Sequence, residues 1–501
     1  MGRPFRGVQE PVPERVQAWA DPAILDLVAL VERLDVTGFE SDFRADGVGG
    51  LPYDPRLMLV TVLWCYAQQI RSPQAIARTC REQVSLRLVW QRDRVPTAST
   101  VRRFIGGHRD AWQQVSVSLL AVCGQAGLVD VSLTATDSTP VAVPAAISKT
   151  VSAARIGVRI DETEQELARL RQHLSAAAED TDLTGFIEDG CGPLIRAEQL
   201  LLVRLDRLRK AAALAAARTA ERHDGDTRDS VRIWQDRVGK HTTDLAAMTD
   251  RQNQKVAVYQ ANVAAGRKPR GPAPRTAGQH PHIRAKQAAL HQAQTRLAAA
   301  RAAGPSARAS PVQANLTDPT ARILKGKNLT RWALGRLFTL TVVASQIILA
   351  GVLSSAGNDY PGLLPNLAAT AGNCRHAGIA GTFGHHLADS GFASPEALST
   401  PTPIDGTLLI CVTNEHDQTR GRAAIPNPEH RRQMAALLTT PEGQDLYRRR
   451  AAMVEPVFAH LLRLDRRLHT RGDAQYSETI AIITAYNASK YLRATVKPQK
   501  H

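Results

Sequence analysis

The chain has 501 residues, enough for two or three domains with sizeable cores, and its Lys and Arg outnumber Asp and Glu by 63 to 47. A formal charge of +16 points to a polyanionic partner, a description met by nucleic acid and by acidic membrane surfaces. Six scattered cysteines without a CxxC pair argue against a zinc site or disulfide framework and for reduced thiols in the cytoplasm, and no apolar run reaches the ~18 residues of a membrane helix.

Residues 21–128 read as helical. Asp21-Pro22 is a cap followed by a first-turn proline, with Ile24, Leu27, Val28, Val31 and Leu34 on one face. Asp54-Pro55 opens a second helix, Ser72-Pro73 a third, and Pro96-Thr97 precedes a fourth that turns Val101 and Phe104 inward. Arg102 and Arg103 then point elsewhere. A short arginine-bearing helix after a turn fits a helix-turn-helix whose last helix enters the major groove, although from these residues alone an ordinary helical bundle with solvated arginines is the favoured reading.

From 154 to 309 the composition shifts to Ala, Arg, Gln, Glu and Leu. Leu167, Leu170 and Leu174, then Leu201, Leu205 and Leu208, then Val231, Trp234 and Val238 recur at helical spacing, which predicts long amphipathic helices that pair with each other or with a second subunit. A basic Pro/Gly-rich stretch from Ala264 to Ile283 reads as a flexible hinge, with a minor-groove hook at 266–270 as the alternative.

An alternating run from Val131 predicts a strand ending at Asp137, followed by Ser138, Thr139 and Pro140, which turn the chain out of the sheet. Beyond the insertion, runs near Leu337 and Gln346 predict a hairpin, 361–374 a helix, HHLAD a strand ending at Asp389, 395–398 a helix, and Thr407 the start of a last strand. Thr440-Pro441-Glu442 opens a C-terminal helix with Tyr447 and Arg450 on one face, while Ala451, Val454, Phe458 and Leu461 form a stripe that packs on the sheet and aims Glu455 at the strand ends. Pro456 predicts a kink or a restart there. Two strand-end aspartates and a helix glutamate make a three-carboxylate site suited to two magnesium or manganese ions ~4 Å apart, set against a phosphodiester.

Several motifs in order, LPYDPRL from Leu51, the Asp137 strand, ANLTDPTARIL from Ala314, QIILA from Gln346, ADSGFAS from Ala388, TPEGQDLYRRRAAMVEPVF from Thr440 and AYNASKYL from Ala485, resemble the DDE insertion-sequence transposases. The resemblance implies an α/β fold: an RNase H-like mixed sheet with helices, preceded by an all-α N-terminal domain (1–129) and interrupted after the first strand by a long helical insertion (154–309), the core being 130–153 and 310–501. It implies Asp137, Asp389 and Glu455 as metal ligands. It further implies cutting at terminal inverted repeats in double-stranded DNA, joining of the freed 3′-hydroxyl to target DNA, and a homodimer or larger assembly in the bacterial nucleoid.

Within that resemblance Tyr447, Arg448, Arg449, Arg450 and Arg463 are the expected contacts to DNA phosphates, and Arg102 and Arg103 those to the terminal repeats; a solvated basic face is the other reading of Arg448, Arg449 and Arg450. Two positions depart from the family pattern. Leu462 stands where the signature lysine is expected, with Arg463 adjacent, and on the second strand only Gly335 survives of Gly-Tyr-Asn-x-Gln, with Arg336, Leu337 and Thr339 following. His385, His386 and His460 lack metal-ligand spacing and read as core or surface residues. The alternative functions are a decayed or domesticated copy that only binds DNA, and a nuclease of the same fold.

Overall fold

A computed structural model describes residues 21–41, 52–90, 95–180, 191–267, 271–302, 312–324, 333–394, 397, 402–411, 429–463 and 465–496. The described parts of 1–150, 315–416 and 427–501 form one compact unit, and those of 151–314 a second.

Among the described residues the first unit opens with seven helices: α1 (Pro22–Glu32), α2 (Thr37–Ser41), α3 (Pro55–Ala67), α4 (Pro73–Glu82), α5 (Val84–Trp90), α6 (Ala98–Gly107) and α7 (Arg109–Gln125). Four begin as their sequences dictate. Asp21, Asp54, Ser72 and Thr97 each accept a hydrogen bond from a first-turn N–H, at 3.0, 2.8, 3.2 and 3.2 Å, and Pro22, Pro55 and Pro73 supply the fixed φ of the first turn.

Strand β1 (Leu133–Ala142) follows, and the chain then enters the second unit through β2 (Thr150–Ser152). There α8 (Ala153–Asp180), the 74-residue α9 (Cys191–Ala264) and α10 (Pro281–Ala302) pack as antiparallel partners. Leu167, Leu205 and Leu208 are buried between them, and Arg171–Glu198, Arg209–Glu164 and Lys286–Asp244 pair at 2.7, 2.8 and 2.7 Å. The insertion helices therefore cover part of their narrow apolar stripes against one another, while Leu200, Val203 and Val258 stay exposed. Strand β3 (Gln313–Asn315) pairs with β2 at the insertion's ends, and of the suggested hook at 266–270, residues 268–270 lie outside the described residues.

The chain returns to the first unit with β4 (Arg322–Leu324), β5 (Ala333–Val343), β6 (Ile348–Ser354), α11 (Leu363–His376), β7 (His385–Ala388), β8 (Thr407–Ile410), α12 (Glu429–Thr439), α13 (Pro441–Leu461) and α14 (Ala474–Thr495). The result is a mixed sheet in the order β4-β5-β1-β7-β8, with β6 also on β5. The β1–β5 and β5–β6 pairs are antiparallel, and β1–β7 and β7–β8 are parallel. Of the suggested helix at 395–398 only Ala397 is described.

Helix α14 is buried nearly all round, which a helix tolerates only between two layers. It packs on β6 on one side and on α3, α6 and α7 on the other, so the N-terminal helices and the sheet share one apolar core that includes Leu63, Phe104, Trp112, Leu340 and Ile483. Asn487, in the AYNASKYL motif, accepts from the Ile348 N–H (2.9 Å) and donates to the Ile348 carbonyl (2.8 Å), pairing backbone groups of β6 that the sheet leaves open.

Two local expectations change. Strand β1 does not end at Asp137 but runs on to Ala142, with Pro140 opposite Leu337. Helix α13 runs through Pro456 without restarting.

Candidate active site

The parallel pairing of β1 with β7 ends at Thr136 opposite Ala388, so the next residue on each strand is an aspartate, Asp137 and Asp389. The strand end that exposes Asp137 is thus that of β7. Asp137 and Asp389 therefore follow the last paired residues of β1 and β7 side by side, on the same face of the sheet.

Helix α13 supplies the third group. Its buried side is Gly443, Met453, Val454, Val457 and Leu461, and Arg450 lies on that side. The Arg450 guanidinium donates to Asp137 Oδ2 at 2.9 Å and approaches Asp389 Oδ1 at 3.9 Å. It also lies 5.8 Å from the centre of the Tyr447 ring, whose hydroxyl donates to the Ala388 carbonyl at 3.3 Å and so fixes the helix against the end of β7.

Burial pushes the Asp137 carboxyl above its ordinary range, only partly offset by Arg450 and by the Ser138 N–H at 2.8 Å, with the charge of Asp389 adding to the rise. Desolvation opposes the Arg450 charge, but Asp137, Tyr447 and Asp389 outweigh it and keep the guanidinium protonated. A pair of carboxylates short of positive charge, with a guanidinium standing in, fits a divalent cation held by hard oxygens.

Beneath the aspartates runs a buried hydrogen-bonded ladder. Asn366 donates to Thr341 (2.8 Å), Thr341 meets Thr136 (2.6 Å), and the His386 ring bridges Thr136 (2.9 Å) and Thr134 (2.6 Å). Full burial lowers the His386 pKa to about 3, so the ring is neutral and serves the core, as its lack of ligand spacing suggested.

Glu455 is placed differently from its sequence expectation. The buried stripe of α13 centres on Met453 and Val457, while Ala451 and Phe458 are only half-buried, so the packed face is rotated away from the expected one. Glu455 lies about 140° around the helix from Arg450 and faces solvent. Among the described residues no group of three or more His, Cys, Asp or Glu side chains is arranged to hold a metal ion.

The basic residues sort by exposure. Arg448 and Arg449 are exposed beside Asp445, at 3.8 and 3.4 Å, and Arg463, Arg102 and Arg103 are also exposed. Leu462 is buried and closes α13, which explains an apolar residue there. Arg336 is a core strut: it bonds Gln475 (3.2 Å), the Leu353 carbonyl (3.3 Å) and the Tyr476 hydroxyl, tying β5 to α14. Gly335 survives because a Cβ there would lie 2.6 Å from the Val141 carbonyl oxygen on β1.

One acid escaped the sequence reading. Asp359, beyond β6, accepts a hydrogen bond from the Ser138 hydroxyl, and burial raises its carboxyl, with the charge of Asp389 adding. Its signal was weak: it lies in a turn-rich segment, Ser354 to Gly362, with no strand running directly into it.

Residues 22–106, from α1 into the last turn of α6, match the model of a family described as Transposase domain (DUF772). The match covers less than a fifth of the chain. No curated protein and no solved structure matches it. Among the described residues no helix is long and apolar enough to cross a membrane.

Proposed function

We propose that this chain is a DDE-type DNA transposase of a bacterial insertion sequence, acting on double-stranded DNA through an RNase H-like core. The observation that carries the reading is the convergence of Asp137, Asp389 and Arg450 from three distant segments, in a chain whose N-terminal helices match a transposase domain. The RNase H-like assignment is supported by the strand order β6-β5-β1-β7-β8, three antiparallel neighbours followed by two parallel ones. A net charge of +16 suits a partner whose affinity is dominated by phosphates.

Asp137 and Asp389 are the residues that would hold magnesium or manganese, two ions per site, with Glu455 as the third acid. Such cations supply Lewis-acid activation of water and neutralise charge on the phosphate. Glu455 joins the aspartates only if α13 turns about its axis or its end rearranges on DNA. Tyr447 holds α13 on β7, and Arg450, once drawn from Asp137, can meet a phosphate, as can the exposed Arg448, Arg449 and Arg463. Arg102 and Arg103 on α6 are the contacts for the terminal repeats.

In the cutting step a water oxygen bonds to phosphorus, the bond from phosphorus to the 3′ oxygen breaks, and a 3′-hydroxyl is released. In the joining step that hydroxyl attacks a target phosphodiester, so one such bond replaces another and no ATP is consumed. The protein contributes alignment of the reacting groups. Synapsis of two element ends calls for a homodimer or larger assembly.

The test is incubation of the protein with duplexes carrying the element's terminal repeats and magnesium. Nicked and joined products are expected; nicks without joining would leave a nuclease. A copy that binds without cutting is the second reading, favoured by the solvent-facing Glu455, and it predicts neither product.

A further inference from the structure

Asp359 lies in the turn between β6 and α11, and its two carboxylate oxygens face the segments that carry the two aspartates. On one side the Ser138 hydroxyl, next in the chain to Asp137, donates to Asp359 Oδ1. On the other, a Cβ built on Gly391 would lie 2.9 Å from Asp359 Oδ2, so the backbone two residues beyond Asp389 rests against this carboxylate. The turn itself is anchored. The Gly362 N–H donates to the Asp359 carbonyl at 3.0 Å, and Gly362 abuts Thr339, which stands opposite Ser138 in the sheet.

The geometry points to Asp359 as a positioning residue, which holds the Asp137 strand and the Asp389 turn in register from the opposite face of the sheet. Side chains alternate along β1, so Ser138 shares a face with Thr134 and Thr136, whose hydroxyls meet His386 and Thr341. Asp137 shares the other face with Arg450. Asp359 thus acts through Ser138 and the Gly391 backbone and stays off the reacting side. Its carboxylate lies against both acid-bearing segments, at Ser138 and at Gly391, and so bears on how closely the two aspartates approach.

This inference rests on the proposed Asp137–Asp389 centre, and its test reads cation binding as well as cutting. Asp359→Ala, Asp359→Asn and Ser138→Ala are compared with the wild-type chain, using manganese(II) binding without DNA and kcat and KM for cleavage of a terminal-repeat duplex. Asp359→Ala should lower kcat about 100-fold with KM for DNA unchanged, the cost of an ~1 Å misplacement. It should also weaken manganese binding about tenfold. Asp359→Asn keeps an acceptor for the Ser138 hydroxyl and should restore most of both. The double variant Asp359→Ala/Ser138→Ala should be no worse than Asp359→Ala alone, because the two side chains share one interaction. If Asp359→Ala fails to fold, Ser138→Ala, which removes only a hydroxyl, carries the comparison. Wild-type values in Asp359→Ala, or an Asp359→Asn as impaired as Asp359→Ala, would overturn the positioning role while leaving the transposase reading intact. A wild-type chain that neither binds manganese nor cuts overturns both.

Discussion

The Arg450 guanidinium meets the Asp137 carboxylate at 2.9 Å across 313 residues of chain, and reaches toward Asp389 with its other nitrogen. Any divalent cation bound by the two aspartates competes with this guanidinium for the same oxygens. Arg450→Ala should therefore tighten manganese binding by the DNA-free protein by roughly tenfold, about 1.4 kcal/mol, while lowering DNA cleavage. Titration by electron paramagnetic resonance reads the first effect. Affinity equal to or below that of the wild type would show that Arg450 imposes no competition.

Asp137→Ala and Asp389→Ala address the centre itself. Each removes one of two adjacent carboxylates, and neither touches the exposed arginines on α6. Cutting should fall below detection in both, with binding to a terminal-repeat duplex within about twofold of wild type. Cleavage at an undiminished rate in either variant removes that aspartate from the chemistry.

Glu455 distinguishes a three-acid centre from a two-acid one. It is exposed, so Glu455→Gln should change stability by no more than about 0.5 kcal/mol. A large drop in kcat at unchanged stability would then report a ligand that is recruited only when DNA is bound. Normal turnover by this variant would leave Asp137 and Asp389 without it, and would count against the three-carboxylate assignment.

The helix starts were legible because their signals are local: Asp21, Asp54, Ser72 and Thr97 cap as written, and three prolines mark the first turns. The aspartate pair was legible because both acids follow alternating runs. The extension of β1 through Pro140 was hidden, since proline and its neighbours normally signal departure from a sheet, and only pairing with β5 overrides that. The face of α13 was misjudged for a related reason. Ala451 and Phe458 compete with Met453 and Val457 for the stripe, and periodicity does not decide which pair meets the sheet. Asp359 required the tertiary fold, because its partners Ser138 and Gly391 lie on other segments.

The exposed pair Arg102 and Arg103 sits on a helix whose inward face, Val101, Phe104 and Ile105, is buried. Substituting either arginine with alanine should leave the melting temperature unchanged. If both meet phosphates, each substitution should reduce the slope of log affinity against log salt by about one. Filter binding or fluorescence anisotropy across a salt series provides the measurement. An unchanged slope in the double variant would place the grip on DNA elsewhere.

His386 gives the fold a dependence on pH. Burial holds its pKa at about 3, whereas an unfolded chain protonates a histidine near 6.5. Between those values the unfolded state binds a proton that the folded state refuses. The contribution is thus complete above 6.5 and declines as pH falls, by up to about 1.4 kcal/mol per pH unit until about 3. His386→Asn keeps a polar group near Thr134 and Thr136 but does not titrate. It should lower stability at pH 7 yet flatten the loss between pH 6.5 and 5, a window in which most carboxylates remain ionised. Urea midpoints at pH 7, 6 and 5 supply the comparison. Parallel declines in the two proteins would mean that the ring already accepts a proton inside the folded sheet.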